Sequence, residues 1–436
     1  MRRLEGTRVH IVGIGGVGVS AIAEVLLARG AAVSGCDGKA SEVTASLIEK
    51  GAHVVVGSHD AAHVEGQDLL VHITRLGPAA QREKEAAEAA GVEVLNRPQL
   101  LSELVAAADA VGIAGTHGKT TTTAMIGHLF REVGRDPTLL VGDGGSSRVG
   151  ARDLLVAELD ESDRTLPLHR PRTAVVTNVE FDHGDYFRDL DDVRSTFRAF
   201  LDGLPADALA LLCADDPWLA AQPTAVRRLT YGYDAGADYR CHPGGRVDRR
   251  EGPLAELRLQ VPGRLTLQNA TAALAVACEH GVDPERAAAA LGSFRGAHRR
   301  LERLGEWRGA VVYDDYGHLP TELRVTVAAL RELPFRRVVL VFQPHRFSRY
   351  LESREGLAAA VREADLACVT EIYAAGEPNP GGVSSAELAS RVGCAFAADL
   401  GEARRWLEGE VREGDAVLLM GAGDIRRLGD ELAPRD

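Results

Sequence analysis

No run of this sequence approaches the ~20 consecutive apolar residues that a membrane-crossing helix requires. The N-terminal stretch MRRLEGTRVHIVGIGG is too short in its apolar run, and too broken by glycine, to read as a secretory leader; it reads as a first strand. An excess of positive charge is also missing. The formal net charge is −13, which excludes a general nucleic-acid or anionic-membrane surface, because such binders neutralise phosphates with clustered Lys and Arg. Any phosphate site must therefore be local. Cysteine is sparse: Cys36, Cys213, Cys241, Cys278, Cys368 and Cys394 are widely scattered and include no C-x-x-C pair. Most of them lie in apolar runs, so they read as small buried hydrophobes rather than metal or redox ligands. A cytoplasmic chain is the expectation. No fixed-period repeat or low-complexity tract marks a domain boundary.

What is present is globular material, 45% hydrophobic and 26% charged over 436 residues. At ~100–200 residues per domain, that length predicts several domains, with three as the working count. Short β-branched runs (RVHIVG, AAVSGCD, AHVVVG, DLLVHI) alternate with Ala/Leu/Glu-rich stretches of helical length, which is the signature of a parallel sheet with crossover helices. A second unit opens at DAVGIAGTHGKTTTTAMIGHLF and continues through DLLVAELD, TAVVTNV and ALALLCADD towards a helix at Leu265 to His280. A third carries AVVYDDYG, RRVVLVFQP, ADLACVTEIY and DAVLLMGAG. The fold class expected is α/β: a Rossmann-like domain at 1–107, a P-loop domain at 108–295 and a second Rossmann-like domain at 296–436. The polar, turn-rich YRCHPGGRVDRREGPLAELRLQVPG predicts a β-hairpin on the central domain.

The sharpest local signal is Gly115-Thr116-His117-Gly118-Lys119-Thr120, between the strand AVGIA and a helix that continues with Thr121. Glycines let backbone N–H groups approach phosphate oxygens, the helix N-terminus adds a favourable dipole, and Lys119 adds a point charge. Thr120 is placed to hold Mg²⁺. The loop is shorter than the common G-x-x-x-x-G-K-[ST] form, so strand, loop and helix in the right order carry the reading. At the front, Gly13-Ile14-Gly15-Gly16-Val17-Gly18 fits G-x-G-x-x-G after a strand, with Asp37 where a ribose-binding acid would sit. Taken alone, that fingerprint would suggest a nicotinamide cofactor, which explains neither the second glycine loop nor the third domain.

The string GTHGKTTTT resembles the ATP-binding loop of the Mur ligase family. AELDESD, TNVEFDHGDY, HRRLE, DDYGHLPTE, FQPHRFSR, AAGE and GAGDI follow in the family's order, and GIGGVGVSAIAEVLL resembles its uridine-diphosphate-binding start. The resemblance covers nearly the whole chain. It implies ATP and Mg²⁺ as cofactors and an acyl phosphate intermediate, with L-alanine joined to the lactyl carboxylate of UDP-N-acetylmuramate. It implies that Thr120, Glu158 and His183 hold metal, that Asn178 and Asp315 lie near the nucleotide, and that Arg300 reaches the transferring phosphate. Gly13, Gly15, Gly16, Gly18, Asp37 and Thr74 would take the sugar nucleotide, and His318, His345 and Arg346 the acceptor side.

Four places depart from the family pattern. Leu265 and Thr266 stand where P-G-x-H-N-x-x-N has histidine and asparagine, while Asn269 keeps the last asparagine. Leu319 replaces a second histidine after His318, Gly184 replaces a larger apolar residue, and the loop Gly142 to Arg152 looks trimmed. A muropeptide-recycling ligase and a non-catalytic nucleotide-binding regulator are the competing expectations.

Overall fold

The computed structural model describes residues 4–73, 76–142, 146–184 and 186–434. Thr74, and part of the loop after Gly142, lie outside them. The chain divides into two compact units: Met1–His242 with Arg246–Glu256 and Asn269–Leu291, and Pro243–Gly245 with Leu257–Gln268 and Gly292–Asp436.

The first unit carries two sheets. One has five parallel strands in the order His53–Val56, Ala32–Asp37, Arg8–Val12, Leu69–His72, Glu93–Asn96. The other has nine strands and is built around Asp109–Ala114, flanked by Ala151–Glu158 on one side and Thr173–Val176 on the other, both parallel to it. The register Ile113↔Glu158 and Ala114↔Val176 brings the carboxyl ends of all three strands to one edge. That is where parallel α/β sheets place their ligands. The polar segment predicted as a hairpin forms the far edge, with Arg246–Arg249 and Gly252–Glu256 paired antiparallel.

The second unit is a six-stranded sheet in the order Glu302–Trp307, Ala310–Asp315, Ala416–Met420, Val338–Phe342, Leu366–Thr370, Ala395–Ala397, with only the first strand antiparallel. Its central strands read VVLVF and AVLLM without polar alternation, because both faces are covered by helices. Leu340, Phe342 and Leu418 pack into one hydrophobic cluster, and Val339, Val341 and Val417 into the other. Among the described residues, no helix is long and apolar enough to cross a membrane. Cys36, Cys213, Cys241 and Cys368 are buried, while Cys278 and Cys394 are half-buried.

Leu340 is fully buried at the centre of this sheet. Leu340→Ala should therefore lower stability by about 2–5 kcal/mol, the range for a truncated core leucine, read as a reduced urea midpoint at unchanged slope.

Candidate active site

The glycine loop between the strand Asp109–Ala114 and the helix Lys119–Glu132 is held from beneath by the residues that follow Thr173–Val176. Asn178 clamps it twice: its side-chain oxygen accepts from His117 N at 2.9 Å and its amide donates to His117 O at 3.1 Å. The Asn178 carbonyl also accepts from Thr116 N at 3.1 Å. Gly118 begins the helix at φ +80, and a Cβ there would meet the Asn269 carboxamide at 3.1 Å. This is a position that favours glycine. No side chain caps this 14-residue helix, so its first N–H groups are presented by the loop itself.

Three acids from the AELDESD stretch surround Lys119. Its ammonium donates to both oxygens of Glu161, at 2.9 and 3.1 Å, and to Thr116 O at 3.1 Å. Burial opposes the charge on Lys119, but Glu161, Asp160 and Glu158 outweigh it and raise its pKa. Burial pushes the Glu161 carboxyl up to about 7, with Lys119 opposing and Asp160 adding to the rise. Thr120 Oγ1 donates to Glu158 Oε2 at 3.0 Å, and Gly142 N donates to the same oxygen at 3.1 Å. His183 holds a left-handed backbone, φ +58, and its Nε2 lies 3.3 Å from Asp182 Oδ2. Asp160 sits near both Lys119 and His183: burial raises its pKa, and Lys119, the Ser162 hydrogen bonds and the neighbouring His183 pull it below the ordinary value. Loop, lysine, Thr120, Glu158 and the His183 segment thus share one sheet edge.

In the second unit, Arg300, Asp315 and His318 are gathered around Glu322. Arg300 reaches Glu322 Oε1 at 3.4 Å and its guanidinium lies over the Tyr316 ring at 5.3 Å. Asp315, at the end of its strand, accepts from Leu301 N at 2.8 Å and Gly317 N at 2.7 Å. Burial still pushes its carboxyl up to about 6, against Arg300 and those two N–H groups. His318 and His345 rings sit 5.6 Å apart, and His345 stacks on Tyr373 at 5.8 Å. Arg346 holds φ +64 and donates to Glu377 at 2.7 Å. Leu319, the family's histidine position, begins the helix Pro320–Arg331, with its N–H on Glu322 at 3.1 Å.

At the front, Gly13 turns at φ +76 and Asp37, expected as a ribose-binding acid, accepts from Gly15 N at 3.0 Å and so braces the glycine loop. The helix Val17–Ala28 starts at Gly16 with no side-chain cap.

Sequence reasoning missed several residues that shape these sites. Glu161 lay in the acidic stretch, but its contact with Lys119 had no separate signal. Asn269 was the surviving asparagine of a broken motif. Arg97, whose guanidinium would meet a Cβ on Gly18 at 2.9 Å, offers a cation beside the front loop and carries no motif.

Family models match the chain in three consecutive stretches: residues 8–109 match the Mur ligase family, catalytic domain; 113–277 the Mur ligase middle domain; and 299–423 the Mur ligase, glutamate ligase domain. The UDP-N-acetylmuramate--L-alanine ligase of Symbiobacterium thermophilum is 41% identical over 464 residues, covering 99% of this chain and 95% of the relative. The protein of the same name from Paenarthrobacter aurescens is 42% identical over 437 residues, covering 97% and 95%. Among solved structures, UDP-N-acetylmuramate-alanine ligase of Thermotoga maritima superposes with a TM-score of 0.80 at 27% identity, covering 98% of each chain. A murein peptide ligase of Psychrobacter arcticus shares the fold, with a TM-score of 0.68 at 24% identity and 98% of each chain covered.

His345 yields a pH test. Burial first, then His318, Arg349 and Arg346, depress its pKa to about 3, against Glu377. It is therefore neutral in the folded protein at pH 7. Because its folded value lies below the ordinary ~6.5, its contribution to stability is present above that pH and is lost as pH falls from there through about 3. Ring ¹⁵N shifts of His345 should stay neutral at about pH 5, and His345→Gln should remove up to about one proton from the acid-side dependence of stability.

Proposed function

The chain belongs to the Mur ligase family, and from that membership we propose that it joins L-alanine to the lactyl carboxylate of UDP-N-acetylmuramate, with ATP converted to ADP and phosphate. The observation that carries the reading is the meeting of an uncapped helix start, a buried lysine and strand-end acids at one sheet edge. A carboxylate is a poor electrophile, and transfer of the γ-phosphoryl group makes it an acyl phosphate that an amine can attack. Such transfer asks the protein chiefly for positioning and positive charge.

Each residue has its part in this proposal. Backbone N–H groups from Gly115 to Thr121 cradle the phosphates, and Glu161 fixes the Lys119 ammonium beside them. Thr120 and Glu158 form a hard oxygen pair, 3.0 Å apart, with His183 as a further donor; this set fits Mg²⁺. When bound, that ion screens the phosphates from the substrate carboxylate. Arg300 and Asp315 are assigned to the phosphoryl group and the nucleotide on their motifs. His318, neutral His345 and Arg346 are assigned to the amino acid, with a guanidinium suited to its carboxylate. The front loop, from Gly13 to Gly18 with Asp37, takes the diphosphate-linked sugar. Residues 1–107, 108–295 and 296–436 then serve the sugar nucleotide, ATP and the amino acid in turn. The phosphate and metal residues are all kept, which favours turnover over a binding-only role.

Phosphate release from Mg-ATP should require both UDP-N-acetylmuramate and L-alanine. It should fall by roughly 10²–10³ in Lys119→Ala, the scale for removing one preorganised electrostatic contact to the transition state. Activity with a preformed tripeptide in preference to alanine would move the assignment to a recycling ligase. Silence from folded protein with every acceptor would leave a binding role.

A further inference from the structure

Four side chains from four separate elements of the first sheet's layer point at one spot that the proposed reaction does not use. His10 lies in the strand Arg8–Val12 and Cys36 in the adjacent Ala32–Asp37, while His63 comes from the short helix Ala61–Val64 and Glu83 from Pro78–Ala89. One donor atom from each lies within 4.8 Å of every other. Glu83 Oε1 is 3.0 Å from His10 Nε2 and 2.9 Å from His63 Nδ1, and Glu83 Oε2 is 3.2 Å from Cys36 Sγ. His10, Cys36 and Glu83 are 2%, 0% and 1% exposed, beneath Val12, Val64 and Leu70.

The hydrogen bonds around His10 bear directly on what this spot holds. Ser34 Oγ donates to Val9 O at 3.5 Å, so it accepts from His10 Nδ1, 2.9 Å away. That pairing favours the tautomer with the ring proton on Nδ1 and a lone pair on Nε2. Nε2 is buried and, among the described residues, its one close polar neighbour is Glu83 Oε1 at 3.0 Å, an approach whose angle is poor for a hydrogen bond. A lone pair on Nε2 facing the Glu83 carboxylate is satisfied by a positive charge held between them, a proton or a metal ion. Tetrahedral zinc with bonds of ~2.0–2.3 Å separates its ligand atoms by ~3.3–3.8 Å, so the short contacts to Glu83, 2.9–3.2 Å, must open and the widest separations, up to 4.8 Å, must close, each by about an ångström or less.

We propose that His10 Nε2, Cys36 Sγ, His63 Nδ1 and one oxygen of Glu83 bind a divalent transition metal, zinc by the mix of thiolate, imidazole and carboxylate, as a closed structural site. Binding forms a metal–sulfur bond and releases the Cys36 thiol proton to solvent. Ser34 orients His10, as carboxylates and hydroxyls do for metal-bound imidazoles. His59, 3.1 Å from Cys36 Sγ and 3.0 Å from Glu83, lines an apolar pocket with Gly13 and Ile73 and gives the ion its way in. The ion ties two strands to two helical segments beneath the front loop. It also assigns Cys36 a role other than the small buried hydrophobe that its sequence context suggests.

The test uses the full chain, stripped by chelation and titrated with Co²⁺ alone. The expected result is saturation of a site that shows thiolate-to-cobalt charge transfer in the near ultraviolet, displacement by Zn²⁺, and a rise in Tm with either metal. Cys36→Ser should abolish the charge-transfer band, and His63→Asn should weaken binding by roughly tenfold or more. Glu158→Gln should keep the band, which separates this site from the proposed Mg²⁺ position. A folded wild-type chain that gives no thiolate band with Co²⁺, or a band that survives in Cys36→Ser, would overturn the proposal. So would unchanged His10 and His63 imidazole resonances in the presence of Zn²⁺.

Discussion

An ammonium group buried beside carboxylates constrains the first unit more than any other interaction. A lysine taken out of water stays charged only if anions replace its hydration, and Glu161, Asp160 and Glu158 do so for Lys119. Those acids come from the end of one strand while the lysine follows another, so the arrangement exists only if Ala151–Glu158 and Asp109–Ala114 pair in the observed register. Thr177 and Asn178, which follow the third strand, then fix the loop backbone. Shifting any one strand would leave an unpaired charge in the interior.

In the proposed reaction the same edge receives the phosphates. The acids hold Lys119 in place without an exposed counter-charge, and the uncapped helix start points its N–H groups the same way. Burial raises the pKa of the Glu161 carboxyl, and the Lys119 ammonium beside it opposes that rise. The second unit uses burial differently. Asp315 is buried and braced by two backbone N–H groups, while His345 is kept neutral by burial and surrounding cations.

Much of this was legible in the sequence where the signal is contiguous. A strand, a glycine loop and a helix follow one another around Lys119, and apolar runs without alternation announce strands covered on both faces. Glu161 was missed beside Glu158, because it and Asp160 sit within four residues of it and only the contact with Lys119 sets Glu161 apart. Arg97 reaches Gly18 from a distant helix, and no spacing rule connects them. His10, Cys36, His63 and Glu83 come from a strand, a neighbouring strand, a helical turn and a helix, so no ligand-spacing pattern could reveal them.

The sequence by itself determined the α/β class, the places of the two glycine loops, the family and the chemistry that its ordered motifs imply, because each depends on residues adjacent in the chain. Tertiary structure alone decided which acid faces Lys119, which histidines meet and which donors surround Glu83. These depend on strand order and helix packing, and a side chain's charge or ligand role is set by the neighbours that replace its water.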